Sequence, residues 1–195
     1  MRWILILMSV LACLMPWRAA LAQELSRQDL VDVLVARTPG ATLDRMRDRP
    51  DRFVQEAAGL ILGYGGPLGL SAEDVETAID AERARLRARE MRRLLEADLN
   101  NDLNVTRAEL DVLVRAASAT MRGRLLVWHR AADADGNGTV RWAELRSFAV
   151  KRADADMSES AVAAMRGMMT FDLNGDDRVL LDEVLQAMQL LGAPA

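Results

Sequence analysis

After residue 23, apolar residues recur three and four apart along nearly the whole chain, the spacing of one face of an α-helix. Leu30, Val31, Leu34 and Val35 form the first such face, opened by Ser26 with Asp29 in a capping-box-like arrangement and stopped at Thr38-Pro39-Gly40. Pro50 is placed to open the next helix, where its missing N–H is no loss, and Phe53, Val54, Ala57, Leu60 and Ile61 supply its buried stripe. Ser71 with Asp74 then caps a long helix running to about Ala97, with Ala84, Ala88, Met91 and Leu95 as its apolar stripe. Between these helices, residues 63–69 (GYGGPLG) read as a loop. Their glycines follow no strand, so a dinucleotide or P-loop reading fails on context.

The start of the chain has a different pattern. Ile4–Met15 is a twelve-residue apolar run behind a single arginine, too short to span a bilayer, and Ala20-Leu21-Ala22 has the small-x-small form of a signal peptidase site. Residues 1–22 are expected to be a cleaved secretory signal, and the mature protein to be exported, periplasmic or secreted. Val10-Leu11-Ala12-Cys13 loosely resembles a lipoprotein box, but it sits midway through the apolar run rather than at its end. No later stretch is long and apolar enough for a transmembrane helix.

Composition narrows the chemistry. The 195 residues carry 25 basic and 29 acidic side chains, a net charge of −4, which argues against a nucleic-acid partner. Removing residues 1–22 takes away two arginines and no acid, leaving 23 basic against 29 acidic residues and a net charge of −6. It also takes away Cys13, the sole cysteine. With His129 as the sole histidine there is no nucleophile–base constellation, so the chain is expected not to be an enzyme. His129 is expected to be a packed core residue. Six arginines between Arg83 and Arg93 alternate with Glu82, Glu90 and Glu96, the pattern of a solvated helix face.

The informative residues lie between 98 and 183. Residues 133–144 (DADGNGTVRWAE) place oxygen-bearing side chains at positions 1, 3, 5 and 12: Asp133, Asp135, Asn137 and Glu144. Gly138 at position 6 permits a sharp left-handed turn, after which the Thr139 carbonyl can face the same point. Residues 172–183 (DLNGDDRVLLDE) follow the same ruler with Asp172, Asn174, Asp176, the Arg178 carbonyl and Glu183. Residues 98–109 (DLNNDLNVTRAE) do so with Asp98, Asn100, Asp102, the Asn104 carbonyl and Glu109, and Thr106 at position 9 is placed to hold a water. Each loop has valine at position 8 (Val105, Val140, Val179), and the loop starts are 35 and 39 residues apart.

These loops resemble those of the EF-hand family, and 133–144 matches the family pattern at every diagnostic position. The resemblance covers about residues 50–195. It implies an all-α fold of paired helix–loop–helix units in two lobes; residues 23–49 resemble no family and are expected, from their own apolar period, to add an extra N-terminal helical segment. The resemblance implies up to three calcium ions (Ca2+), and a calcium-dependent module that captures an amphipathic helix of a protein partner, with a calcium buffer or calcium-stabilised structural protein as the alternative. Met165, Met168, Met169 and Met188 suit either a Met-rich groove or ordinary core packing. Leu103 and Asp177 depart from glycine at position 6, so affinity is expected to fall in the order 133–144, 172–183, 98–109.

A fourth hand would complete the pairs. Residues 63–74 keep Leu70 at position 8 and Asp74 at position 12 but carry no ligand at positions 1, 3 or 5. The stretch reads equally as a Gly/Pro connector. As a degenerate hand it would pair with 98–109 in a lobe over 50–125, leaving 133–144 to pair with 172–183 over 126–195.

Overall fold

The computed structural model describes residues 27–192, so the signal expected at 1–22 and the Ser26 cap lie outside the described residues. Within them the chain is mostly helical. Caps carried by the sequence set most helix starts. After α1 (Arg27–Arg37) and α2 (Gly40–Asp48), Pro50 opens α3 (Pro50–Leu60) at its first position. The Gly-rich stretch expected to be a loop instead continues α3 through a wide π-turn (Ile61–Gly65) and a 3-10 turn (Gly66–Leu68) before β1 (Leu70–Ser71). Ser71 and Asp74 form the anticipated reciprocal cap of α4 (Ala72–Leu95), at 24 residues the longest helix described.

Three further helix–loop–helix turns follow the same rule. Strand β2 (Val105–Thr106) leads into α5 (Arg107–Ala116), capped by Thr106 and Glu109. Ser118 caps α6 (Ala119–Ala132), which runs through β3 (Thr139–Val140) into α7 (Trp142–Asp156). Ser158 caps α8 (Glu159–Arg166), followed by a 3-10 turn (Gly167–Phe171), β4 (Arg178–Val179) and α9 (Leu181–Leu190).

The strands pair in a nested order that corrects the sequential expectation. Leu70 stands opposite Val179, not Val105, and Val105 stands opposite Val140. The reason lies in α4. It is an unbroken rod about 36 Å long at 1.5 Å per residue, so it holds Leu70 and Val105 at opposite ends. By contrast, the break at Ala117–Ser118 lets α5 and α6 fold back on each other and brings 98–109 beside 133–144.

Two apolar cores result, and neither follows a 50–125/126–195 division. The outer core joins Leu34, Met46, Phe53, Ile61, Leu70 and Ile79 to Val179, Val184 and Met188. Here Phe53 meets Phe171 edge-on, with ring centroids 5.8 Å apart. The inner core joins Leu94, Val105 and Leu110 to Leu125, Val140, Leu145 and Phe148. Helices α4 and α7 pack together and contribute to both. Residues 23–49, which resembled nothing in the sequence, supply Leu34 and Met46 to the outer core, and Thr38 Oγ1 lies 3.4 Å from Thr170 Oγ1.

Packing fixes the place of His129 and of the methionines, and it corrects the reading of α4, whose buried face carries Leu86, Glu90 and Leu94 while Ala84 and Ala88 are exposed. His129 is buried, and its Nε2 lies 3.0 Å from the Val105 carbonyl. A carbonyl only accepts, so this nitrogen carries the proton. Met168 and Met188 are core residues of the outer cluster, with Met165 and Met169 partly buried against it. Four arginines of the α4 run are ion-paired: Arg83 with Asp80, Arg85 with Glu82, and Arg89 and Arg93 with the buried Glu90.

Candidate metal centre

The three loops repeat one hydrogen-bond scheme, set by where their oxygen side chains fall. At position 1, Asp98, Asp133 and Asp172 each accept through Oδ2 from the backbone N–H of position 6, namely Leu103 at 3.0 Å, Gly138 at 2.9 Å and Asp177 at 3.0 Å. At position 3, Asn100, Asp135 and Asn174 accept from the N–H of position 5. At position 5, Asp102, Asn137 and Asp176 accept from the N–H of position 7, at 2.7, 2.8 and 2.9 Å. Each loop is thereby wound around its own carboxylates.

The twelfth residue closes each loop. Oε1 of Glu109, Glu144 and Glu183 reaches back to the N–H of Leu99, Ala134 and Leu173, while Oε2 accepts from the N–H of Thr106, Arg141 and Leu180. These glutamates sit in the first turns of α5, α7 and α9, so helix formation and loop closure use the same side chain. Backbone φ is positive at positions 4 and 6 of every loop: Asn101 and Leu103, Gly136 and Gly138, Gly175 and Asp177. The remaining proposed ligands are backbone carbonyls. Thr139 and Arg178 open β3 and β4, and Asn104 immediately precedes β2.

The loops differ in detail. Asp133, Asp135 and Glu144 bring carboxylate oxygens within 4.8 Å of one another, the one such trio among the described residues. Asp133 Oδ1 is moreover buried with no hydrogen-bond partner, again alone among the described residues. A desolvated carboxylate oxygen without a partner is costly, and a cation removes that cost. The donor set is entirely oxygen, as a hard cation requires. The residues present therefore fit a divalent ion of this kind.

In 98–109, backbone and side-chain hydrogen bonds from Thr106 hold Glu109 below the usual carboxylate range. The Asn104 N–H and then the Asn100 amide do the same for Asp102. Both side chains therefore stay ionised. Thr106, which the spacing offered as a water holder, uses its hydroxyl to cap α5 and bond Glu109.

Two features have no counterpart in the sequence reading. Arg141 extends its guanidinium to Asp135 Oδ2 at 3.2 Å, placing a positive charge at the rim of 133–144. Arg178 donates to the Gly69 carbonyl at 3.2 Å, tying 172–183 to the Gly-rich turn before β1. A hydrogen bond across 109 residues leaves no local pattern to read. Gly69 itself has φ of 87°, and a Cβ there would lie 3.1 Å from the Val179 carbonyl, so close backbone approach explains this glycine.

No family model, curated protein or solved structure matches this chain.

Proposed function

We propose that this protein binds calcium through EF-hand-like loops, with 133–144 as the tightest site and 172–183 and 98–109 following. The observation that carries this reading is the buried, unpartnered Asp133 Oδ1 beside the carboxylates of Asp135 and Glu144. Twelve-residue spacing with a terminal glutamate able to offer two oxygens favours calcium over magnesium, which demands a tighter octahedron and retains more water. Asp133, Asp135, Asn137, the Thr139 carbonyl and Glu144 would hold the ion at the first site, and the equivalent positions at the others. When bound, the cation supplies charge neutralisation and cross-links each loop to the helix that follows it.

In an exported protein, where calcium is comparatively abundant, such sites would stay filled and act as structural clamps. Met168 and Met188 are buried in one core with Leu34 and Met46, and α1 packs on both α9 and the 3-10 turn that carries Met168; the chain's own N-terminal segment thus covers that apolar face, which supports the clamp reading. The interaction-module reading draws on one feature, a hollow of about 490 Å³ lined in part by Phe53, Leu60, Met165 and Met168.

Glu144→Gln tests the assignment. Calorimetric titration should lose the tightest of the sites and leave the others. An unchanged tight site would remove 133–144 from the proposal, and no calcium binding by the wild type would end it.

A further inference from the structure

Of the six arginines on α4 between 83 and 93, Arg87 is one that makes no ion pair among the described residues; neither does Arg146 on α7. Both line one groove of about 340 Å³ between α4 and α7, together with Met91, Trp142 and Val150, and no acidic residue among the described residues lines it. Like charges sharing a groove repel, and nothing in the groove offsets that. Trp142 and Val150 are 41% and 39% exposed, large apolar surfaces flanking Arg146. Arg146 lies four residues from each along α7, so apolar, cationic and apolar groups follow one another about 6 Å apart. Arg and Trp are the side chains that most often anchor interfaces. The larger hollow beside α3 offers no such charge, since its rim residues Arg45 and Glu56 pair with each other.

We propose that the α4/α7 groove docks an acidic amphipathic helix of a protein partner. A carboxylate on that helix would lie against Arg87 and Arg146, and apolar side chains one turn to either side would cover Trp142, Met91 and Val150. A helix is the fitting shape because the groove repeats at the four-residue spacing that a helix presents on one face. An anionic bilayer is the weaker occupant, because a chain with more acidic than basic residues is repelled by a negative surface and the groove offers only two cations. The site shares Trp142 with segment 133–144 but none of that segment's oxygen ligands, so it stands or falls independently of the metal reading.

The test uses the full-length protein and a fluorescein-labelled synthetic helical peptide carrying Leu, Glu and Leu at four-residue spacing, read by anisotropy. Matched peptides carry Gln or Lys in place of Glu. The Glu peptide should bind about tenfold more tightly than the Gln peptide. The double variant Arg87→Glu, Arg146→Glu should lose the Glu peptide and gain the Lys peptide, which also shows that the variant is folded. Absence of binding by the Glu peptide, equal affinity for Glu and Gln peptides, or full binding by the double variant would each overturn the proposal. So would phosphatidylserine vesicles that bind through the same two arginines while the peptide does not.

Discussion

Leu103 and Asp177 stand at the sixth position of their loops with φ of 63° and 64°, where Gly138 takes 83°. A left-handed backbone costs a branched apolar residue about 1–2 kcal/mol, and aspartate less, because its short polar side chain tolerates that region. Leu103 is also 44% exposed, so little burial opposes its removal. Leu103→Gly should therefore tighten calcium binding at 98–109 by about tenfold at most, measurable by calorimetry. A weaker site would mean that the Leu103 side chain supports the loop. Asp74 shows a second residue-scale effect. Hydrogen bonds from the Ser71 hydroxyl, then from its backbone N–H, hold this carboxyl below its usual range. Since its folded-state value is the lowered one, the contribution is present above the ordinary carboxylate range and lost as pH falls through the lowered value. Ser71→Ala should thus be less stable than wild type at neutral pH, with the gap closing in acid. Urea unfolding across a pH series checks this, and a gap independent of pH would exclude the Asp74 charge from the cap. Both residues stood out in the sequence, one as a departure from glycine and the other as a capping pair. Arg141 did not, because nothing in its neighbours marks which carboxylate its long side chain reaches.

At the scale of elements, the uninterrupted α4 decides which loops meet. Its sequence from Ser71 to Ala97 contains no proline or glycine, so the long helix was legible. The consequence, that loops at its two ends stand too far apart to pair, follows from the 1.5 Å rise alone. What could not be read was the positive statement that β1 finds β4, because that ladder depends on α7 and α8 carrying the chain back. The turn that makes this possible is tight. A Cβ on Gly65 would lie 2.5 Å from the Leu70 backbone nitrogen, which cannot yield without moving β1. Gly65→Ala should cost about 2 kcal/mol or more. It should also weaken calcium binding at 172–183, whose strand pairs with β1, and leave 133–144 intact. Residue-resolved NMR titration separates the two loops, and an equal loss at both would show that the ladders do not isolate them.

For the whole molecule, two cores are strung along α4 and α7 with a charged layer between them. Leu86 belongs to the outer core and Leu94 to the inner one, and Glu90, on the same helical face, is 1% exposed and held by Arg89 and Arg93. Arg93 also lies over Trp128 at 5.0 Å, linking this layer to α6. The outer core depends on α2. Met46→Ala, at 1% exposure, should lower stability by about 3 kcal/mol, read by denaturant unfolding. A loss well under 1 kcal/mol would mean that residues 27–48 pack loosely and leave the apolar face behind 172–183 open. The sequence alone determined the helical period, the caps and the three oxygen-bearing loops, because each depends on residues within about twelve positions of one another. Only the tertiary structure decided the nested pairing, the burial of the N-terminal helices, the orphaned Asp133 oxygen and the unpaired arginines of the α4/α7 groove. Those depend on which distant surfaces a rigid helix allows to touch, and a local pattern does not carry that information.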